Sequence, residues 1–158
     1  MSTQLRLATL DDLEALVDLE ALTFPEDPWT PFMLADELMS PASRYWIAAD
    51  ESGAPIGYGG VKVGGDQADV MTIGVAPQAR GRGAGAAILD ALLTWAREAG
   101  ATEIFLDVRP SNEVAIALYR SRGFEDLGHR PRYFRNPVED ALEMRAPLSG
   151  PGARAVTK

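Results

Sequence analysis

Asp69-Val70-Met71-Thr72-Ile73-Gly74-Val75-Ala76-Pro77 leads into Arg80-Gly81-Arg82-Gly83-Ala84-Gly85, and an apolar helical pattern begins at Ala86. The first seven of these residues are rich in β-formers, and Ala76-Pro77 closes the run because proline has no backbone donor to give a neighbouring strand. Glycines let successive backbone N–H groups crowd together, and a helix start adds about half a positive charge. A strand, a glycine-rich turn and a helix N-terminus in that order make a cradle for phosphate oxygens. The stretch is read as the anchor for the pyrophosphate of a nucleotide-like cofactor.

Three motifs compete for it, beside the plain alternative of a glycine-rich loop that only turns the chain. Gly81-x-Gly83-x-x-Ala86 formally matches the dinucleotide fingerprint, with Asp107 about twenty residues further on. That fingerprint follows its strand at once and sits at the first strand of a domain, whereas here Ala76 to Arg80 intervene and the motif falls mid-chain. A P-loop is excluded because no Gly-Lys-Ser/Thr follows. The third pattern, Arg/Gln-x-x-Gly-x-Gly/Ala, fits as Arg80-x-x-Gly83-x-Gly85. It is the acetyl-CoA signature of the GNAT superfamily of N-acetyltransferases, which this chain resembles.

Bulk properties narrow the class. The 158 residues are 46% hydrophobic and 24% charged, the balance of a folded globular chain with a substantial core. No apolar run approaches a membrane span, and the N-terminus lacks the basic-then-apolar pattern of a secretory signal. Without cysteine, disulfides, thiolate catalysis and cysteine-held metals are excluded, and His129 is the one histidine, so no metal site is expected. The expected compartment is the cytoplasm. Net charge is −8, with 11 acidic and 2 basic side chains in residues 1–51. That balance argues against nucleic-acid binding and favours approach of a cationic acceptor, an amine or basic peptide. For most of these charges, solubilising a helix face is explanation enough.

Along the chain, Leu5 and Leu7 mark a short first strand, and Thr9-Leu10-Asp11-Asp12 reads as a capping box with Asp in place of Glu. The helix it opens carries Leu13, Leu16, Val17 and Ala21, and is broken by three prolines between Phe24 and Pro31. A second helix, about Pro31 to Met39, is capped by Thr30. Tyr45–Ala49 and Ile56–Val63 read as strands joined at Gly53. After the central motif come a helix with an Ile88, Leu89, Leu92, Leu93, Ala96 stripe ended by Gly100, a strand from Glu103 to Val108, and a helix capped by Ser111 that stops at Gly123. Phe124–Gly128 and Ala141–Met144 are the last strands, flanking an Arg-, Tyr- and Pro-containing loop. The succession is that of an α+β protein, a mixed α/β sandwich with helices on both faces of the sheet. One domain is expected over residues 1–148, with 149–158 a flexible tail.

The resemblance narrows downstream of the glycine turn. Asp107-Val108-Arg109-Pro110-Ser111-Asn112, then Ala115-Ile116-Ala117-Leu118-Tyr119 and Gly123-Phe124, are similar to the bacterial ribosomal-protein-alanine N-acetyltransferases (RimI). Ile73-Gly74-Val75, Phe24, Pro28-Trp29-Thr30, Arg132-Tyr133-Phe134 and Glu139-Asp140-Ala141-Leu142 add to it. The resemblance implies the GNAT fold, a mostly antiparallel mixed sheet of about seven strands, splayed between the fourth and fifth to admit acetyl-CoA. It implies that the backbone of Ile73, Gly74 and Val75 holds the pantetheine arm, and that Arg80, Gly81, Arg82, Gly83, Ala84, Gly85 and Ala86 bind the pyrophosphate. It also implies that Asn112 bonds the cofactor near its reactive end, and that Tyr119 protonates the departing thiolate.

The general base is open. The family's glutamate falls at Asp107, shorter by one C–C bond, about 1.5 Å, so a bridging water is the natural repair. Asp107 is equally readable as a strand-end carboxylate paired with an arginine, with Glu20 and Glu26 as fallback bases. An α-amine is about a third neutral at about pH 7.5, a lysine amine about 0.1%. A weak base therefore points to a protein or peptide N-terminus as acceptor, such as that of a ribosomal protein, with Glu26, Trp29 and Tyr133 lining its groove. Two alternatives stay open: a small amine of polyamine or aminoglycoside type as acceptor, and an acetyl-CoA-binding sensor without turnover.

Overall fold

The computed structural model describes residues 3–148, so the expected tail at 149–158 lies outside the described residues. Seven strands form one mixed sheet in the order β1-β2-β3-β4-β5-β7-β6. They are β1 (Gln4–Leu7), β2 (Ser43–Ala49), β3 (Pro55–Gly64), β4 (Gln67–Val75), β5 (Glu103–Val108), β6 (Glu125–Phe134) and β7 (Glu139–Pro147). The helices are α1 (Leu13–Thr23), α2 (Pro31–Met39), α3 (Ala84–Glu98) and α4 (Glu113–Ser121). The succession is the one expected from the sequence. β4 and β5 run parallel, and β1–β2, β2–β3, β5–β7 and β6–β7 antiparallel. Parallel pairing of β4 with β5 covers Gln67↔Glu103, Ala68↔Ile104 and Asp69↔Phe105, while β4 runs on to Val75 and β5 to Val108.

The chain falls into two compact units. The first takes in the residues up to Lys62 with Val70–Thr94. Thr9 caps the entry to α1 through a 3-10 turn at Leu10–Asp12, and the reciprocal box with Asp12 is present. Arg6 grips the same Asp12 at 2.8 and 2.9 Å, tying β1 to the helix start. Leu16, Leu34, Ile47, Tyr58, Val61, Ile88, Leu89 and Leu92 are fully buried. Gly60 lets β3 lie against the ring of Tyr45, where an added Cβ would stand 2.2–2.5 Å from ring atoms. Tyr45 cannot retreat, being 2% exposed with its hydroxyl donating to Glu37 at 2.9 Å. Gly60→Ala is therefore expected to cost about 1–3 kcal/mol and lower Tm by several degrees, read by thermal unfolding.

The second unit comprises Val63–Asp69 and the residues from Trp95 onward. On β5, Ile104, Leu106 and Val108 are buried while Glu103, Phe105 and Asp107 face the other way, the two-residue alternation of a strand with unlike faces. Two local expectations need correcting. Ser111 does not cap α4: Asn112 does, its side chain accepting from Ala115 N at 3.2 Å, because Ser111 is drawn to Glu139. The Arg-, Tyr- and Pro-containing segment is not a loop but the far half of β6, paired down to Phe134↔Glu139. Leu127, and the stretch from Pro131 to Tyr133 with the left-handed Arg132 (φ 53°), interrupt the register without ending it. An edge strand tolerates proline, and β7 supplies the hydrogen bonds that outweigh local turn preference.

Candidate active site

The glycine turn of the first unit is built as a cradle. After β4 a 3-10 turn at Pro77–Ala79 reverses the chain, and Gly81 (φ 83°) and Gly83 (φ 82°) hold left-handed conformations that suit only glycine. Nothing lies within 4 Å of where a Cβ would stand at either. Helix α3 then begins at Ala84, two residues before the expected Ala86, because Gly85 adopts helical rather than turn geometry. The first helical bond from this turn runs from Ala87 N to Gly83 O at 3.0 Å. The N–H groups of Ala84, Gly85 and Ala86 thus belong to the first turn and have no helical acceptor. Arg82 is exposed beside them, while Arg80 turns back to donate to Val75 O at 3.2 Å. Ile73, Gly74 and Val75 lead directly into this turn. Three convergent amides, two open glycines and a neighbouring guanidinium fit a diphosphate.

The same unit holds a buried carboxylate. Glu20 is 2% exposed, accepts from the Tyr58 hydroxyl, and takes Trp29 N–H at 2.8 Å. With both oxygens engaged, it is not a free base for an incoming amine. Burial and the adjacent Glu20 push the Tyr58 phenol well above its ordinary range, so it stays a donor. Glu26 and Trp29 share the segment between α1 and α2, Glu26 exposed and Trp29 half-buried. A second hub, Glu37, accepts from Tyr45 at 2.9 Å, Lys62 at 2.9 Å and Ser43 at 3.4 Å.

In the second unit Tyr119 lies on α4, 8% exposed, its ring 5.7 Å from that of Phe124. Burial pushes its phenol up to about 12, and its hydroxyl makes no hydrogen bond among the described residues. Asp107 accepts from Arg130 Nε at 3.0 Å, and the same guanidinium donates to Glu143 at 2.9 Å. Glu143 is the register partner of Asp107 on β7. Burial raises the Asp107 carboxyl, Glu143 raises it further, and Arg130 opposes both. Nearby, Arg109 donates to Pro137 O at 2.9 Å and Arg135 O at 2.8 Å, pairs with Glu139 at 3.3 Å, and stacks over Phe134 at 4.6 Å. It ties down the turn between β6 and β7. Tyr133, at the end of β6, is half exposed and meets Phe134 edge-on at 5.0 Å.

The model of the acetyltransferase (GNAT) family matches residues 13–124. The chain belongs to the GNAT family of acetyltransferases. It is 39% identical over 148 residues, 90% of this chain and 91% of the relative, to the N-alpha-acetyltransferase RimI of Mycobacterium tuberculosis. Among solved structures, the ribosomal-protein-S18-alanine N-acetyltransferase of Escherichia coli superposes with a TM-score of 0.85 at 27% identity, covering 94% of this chain and 96% of that one. A phosphinothricin acetyltransferase from Sinorhizobium meliloti, in complex with AcCoA, gives a TM-score of 0.78 at 26% identity over 94% and 90% of the two chains.

In this GNAT chain the sequence motifs placed the strand, glycine turn and helix start and put Tyr119 on a helix, but missed several supporting groups. Asn112 is the helix cap as well as the expected cofactor ligand, so its carbonyl oxygen is engaged and its amide nitrogen is the end left to reach outward. Arg130 is the arginine that pairs with Asp107. The bond needs β5, β7 and β6 side by side, and no local pattern in the sequence announces it. Glu20 gave one signal that could have been used: an acidic residue on the apolar stripe, one position after Leu19 and four after Leu16. Among the described residues, no helix is long and apolar enough to cross a membrane.

Proposed function

We propose that this GNAT enzyme transfers the acetyl group of acetyl-CoA to the N-terminal α-amine of a protein, a ribosomal protein being the class its relatives point to, by direct attack in a ternary complex within the cytoplasm. The observation that carries it is the near full-length similarity to an N-alpha-acetyltransferase. The chemistry of the site agrees, since its one strand-end carboxylate of the right position, Asp107, is tied to Arg130 and serves better as a weak acceptor than as a strong base.

Backbone amides of Ala84 to Ala86, with Gly81, Gly83 and the Arg82 guanidinium, would hold the diphosphate, while Ile73, Gly74 and Val75 offer a strand edge to the pantetheine arm. Val75 O also serves Arg80, which makes Arg80 a support for that edge. Asn112 would bond near the reactive end. Bound there, acetyl-CoA supplies an acetyl group activated as a thioester. Glu26, Trp29 and Tyr133 are the residues proposed to receive the acceptor. Tyr119 would give its phenolic proton to the departing thiolate sulfur, and Asp107 would receive, through a water, the proton the attacking amine loses as its N–C bond replaces the thioester C–S bond.

An α-amine of pKa about 7.7–8.0 supplies several-hundredfold more neutral nucleophile near neutrality than a lysine at about 10.4. Peptides with a free N-terminus are therefore expected to react on the order of 100-fold faster in kcat/KM than the same peptides Nα-blocked but carrying lysine. Thiol release across a panel varied at the first residue checks this. Faster turnover of a polyamine, or of the blocked peptides, would overturn it.

A further inference from the structure

We infer that Glu20, through Tyr58, is a positioning residue for the acceptor: it clamps the segment between α1 and α2 onto β3 and so sets how the amine substrate is held. This rests on Glu26 and Trp29 receiving the acceptor, as proposed above.

The placement of the carboxylate is the first argument. A buried charge costs several kcal/mol to desolvate, and apolar replacements of buried ionic groups are often neutral or stabilising. Glu20 has no cationic partner among the described residues; its two oxygens meet a phenol and a backbone amide. Stability alone would be served as well by apolar groups in place of both the Glu20 carboxyl and the Tyr58 hydroxyl. What the carboxylate adds is a fixed point: two acceptor oxygens in one rigid group join Trp29 to Tyr58, the latter 38 residues from Glu20 in sequence.

The second argument is what those two parts are. On one side is the stretch from Phe24 to Thr30. Its near end follows the helix through Phe24 N to Glu20 O at 2.8 Å and Asp27 N to Phe24 O at 3.2 Å. Its far end, at Trp29, is held by the Glu20 side chain. Pro25 and Pro28 leave that stretch few backbone donors of its own, so one bond to a buried anchor carries much of its geometry. On the other side is Tyr58, whose phenol also meets Thr72 on β4. The Tyr58 ring, with Thr23, packs so close to Gly74 that a Cβ there would fall 2.8 Å from ring carbon and 3.0 Å from the Thr23 methyl. The segment expected to hold the amine is thereby referenced to the strand expected to hold the thioester arm, all within one compact unit. Sub-ångström placement of the two reactants is worth orders of magnitude in rate.

The test uses Glu20→Gln, Glu20→Leu and Tyr58→Phe in the full chain. Steady-state kinetics would be run on whichever amine the wild type acetylates best, with CoA affinity measured by calorimetry. Acceptor KM is expected to rise about tenfold in Tyr58→Phe and in Glu20→Leu, the scale of one lost buried hydrogen bond, with CoA affinity unchanged within twofold and kcat reduced less than KM is raised. Glu20→Gln keeps an oxygen for Trp29 N–H and should recover part of the loss. Hydrogen exchange at the Trp29 amide should accelerate in Glu20→Leu whatever the acceptor proves to be. Unchanged exchange there would overturn the clamp independently of the assigned function, and parallel losses of kcat and CoA affinity would reduce Glu20 to a general structural residue. Should Glu20→Leu fail to fold, Tyr58→Phe still decides.

Discussion

Tyr119→Phe is expected to lower kcat by about 10²–10⁴-fold while leaving CoA affinity within a factor of two. The phenol is the proton donor proposed for the leaving sulfur, and a phenyl ring cannot replace it. The fold should barely notice, because the hydroxyl makes no hydrogen bond among the described residues and the ring contact with Phe124 survives. Thermal unfolding, calorimetry and single-turnover kinetics together separate these effects. Turnover preserved in Tyr119→Phe would place the proton donor elsewhere, and a wild type that binds CoA without turnover would make the chain a sensor. The pH profile carries a second signature. Donation requires the protonated phenol, and burial holds Tyr119 at about 12. The rate should therefore rise as the acceptor α-amine loses its proton near pH 8 and show no falling limb near 10, where an ordinary tyrosine would ionise. A fall centred near pH 10 would count against Tyr119 as the acid.

Gly83→Val should weaken CoA binding by about 10²-fold or more. Two costs combine. At φ 82° a β-branched residue is strained by about 1–2 kcal/mol, so the turn relaxes toward ordinary backbone angles and the amides of Ala84 to Ala86 lose their convergence. Each hydrogen bond to a charged phosphate oxygen is worth about 1.5–3 kcal/mol, so losing one or two suffices. The side chain would also project into the open space beside the glycine that a diphosphate needs. Titration of CoA against desulfo-CoA and adenosine bisphosphate would show the loss in every ligand carrying the diphosphate or its neighbouring phosphate. An effect confined to Tm, with affinity intact, would mean that the turn merely reverses the chain. NAD binding to the wild type would favour the dinucleotide reading of the same glycines.

The Asp107 ambiguity shows how far local patterning reaches. The arginine-paired reading describes the residue as it stands, and the base reading is the one proposed for it: Arg130 holds one oxygen, Glu143 shares the guanidinium, and burial raises the carboxyl above its ordinary range. A carboxylate so held is a modest proton acceptor, the character an α-amine acceptor requires.

Features that depend on neighbours in the chain were settled by the sequence itself. The Thr9–Asp12 box, Pro31 at the first turn of α2, the α3 stripe, the paired left-handed glycines and the strand alternation of β5 all follow from spacing, steric range and missing donors. Those effects act over one or two turns of chain, and they sufficed to identify the strand–turn–helix cradle and the element order. Features that depend on which strands lie together were decided by tertiary structure alone. Ser111 lost the α4 cap to Asn112 because Glu139 waited on β7. Arg130 became the partner of Asp107 through the β5-β7-β6 order, and Pro131 and Arg132 stayed in a strand because β7 paired with it. Glu20 found Tyr58 across 38 positions. Hydrogen bonds between distant residues outweigh local preferences of a few tenths of a kcal/mol, and no window along the chain contains both partners.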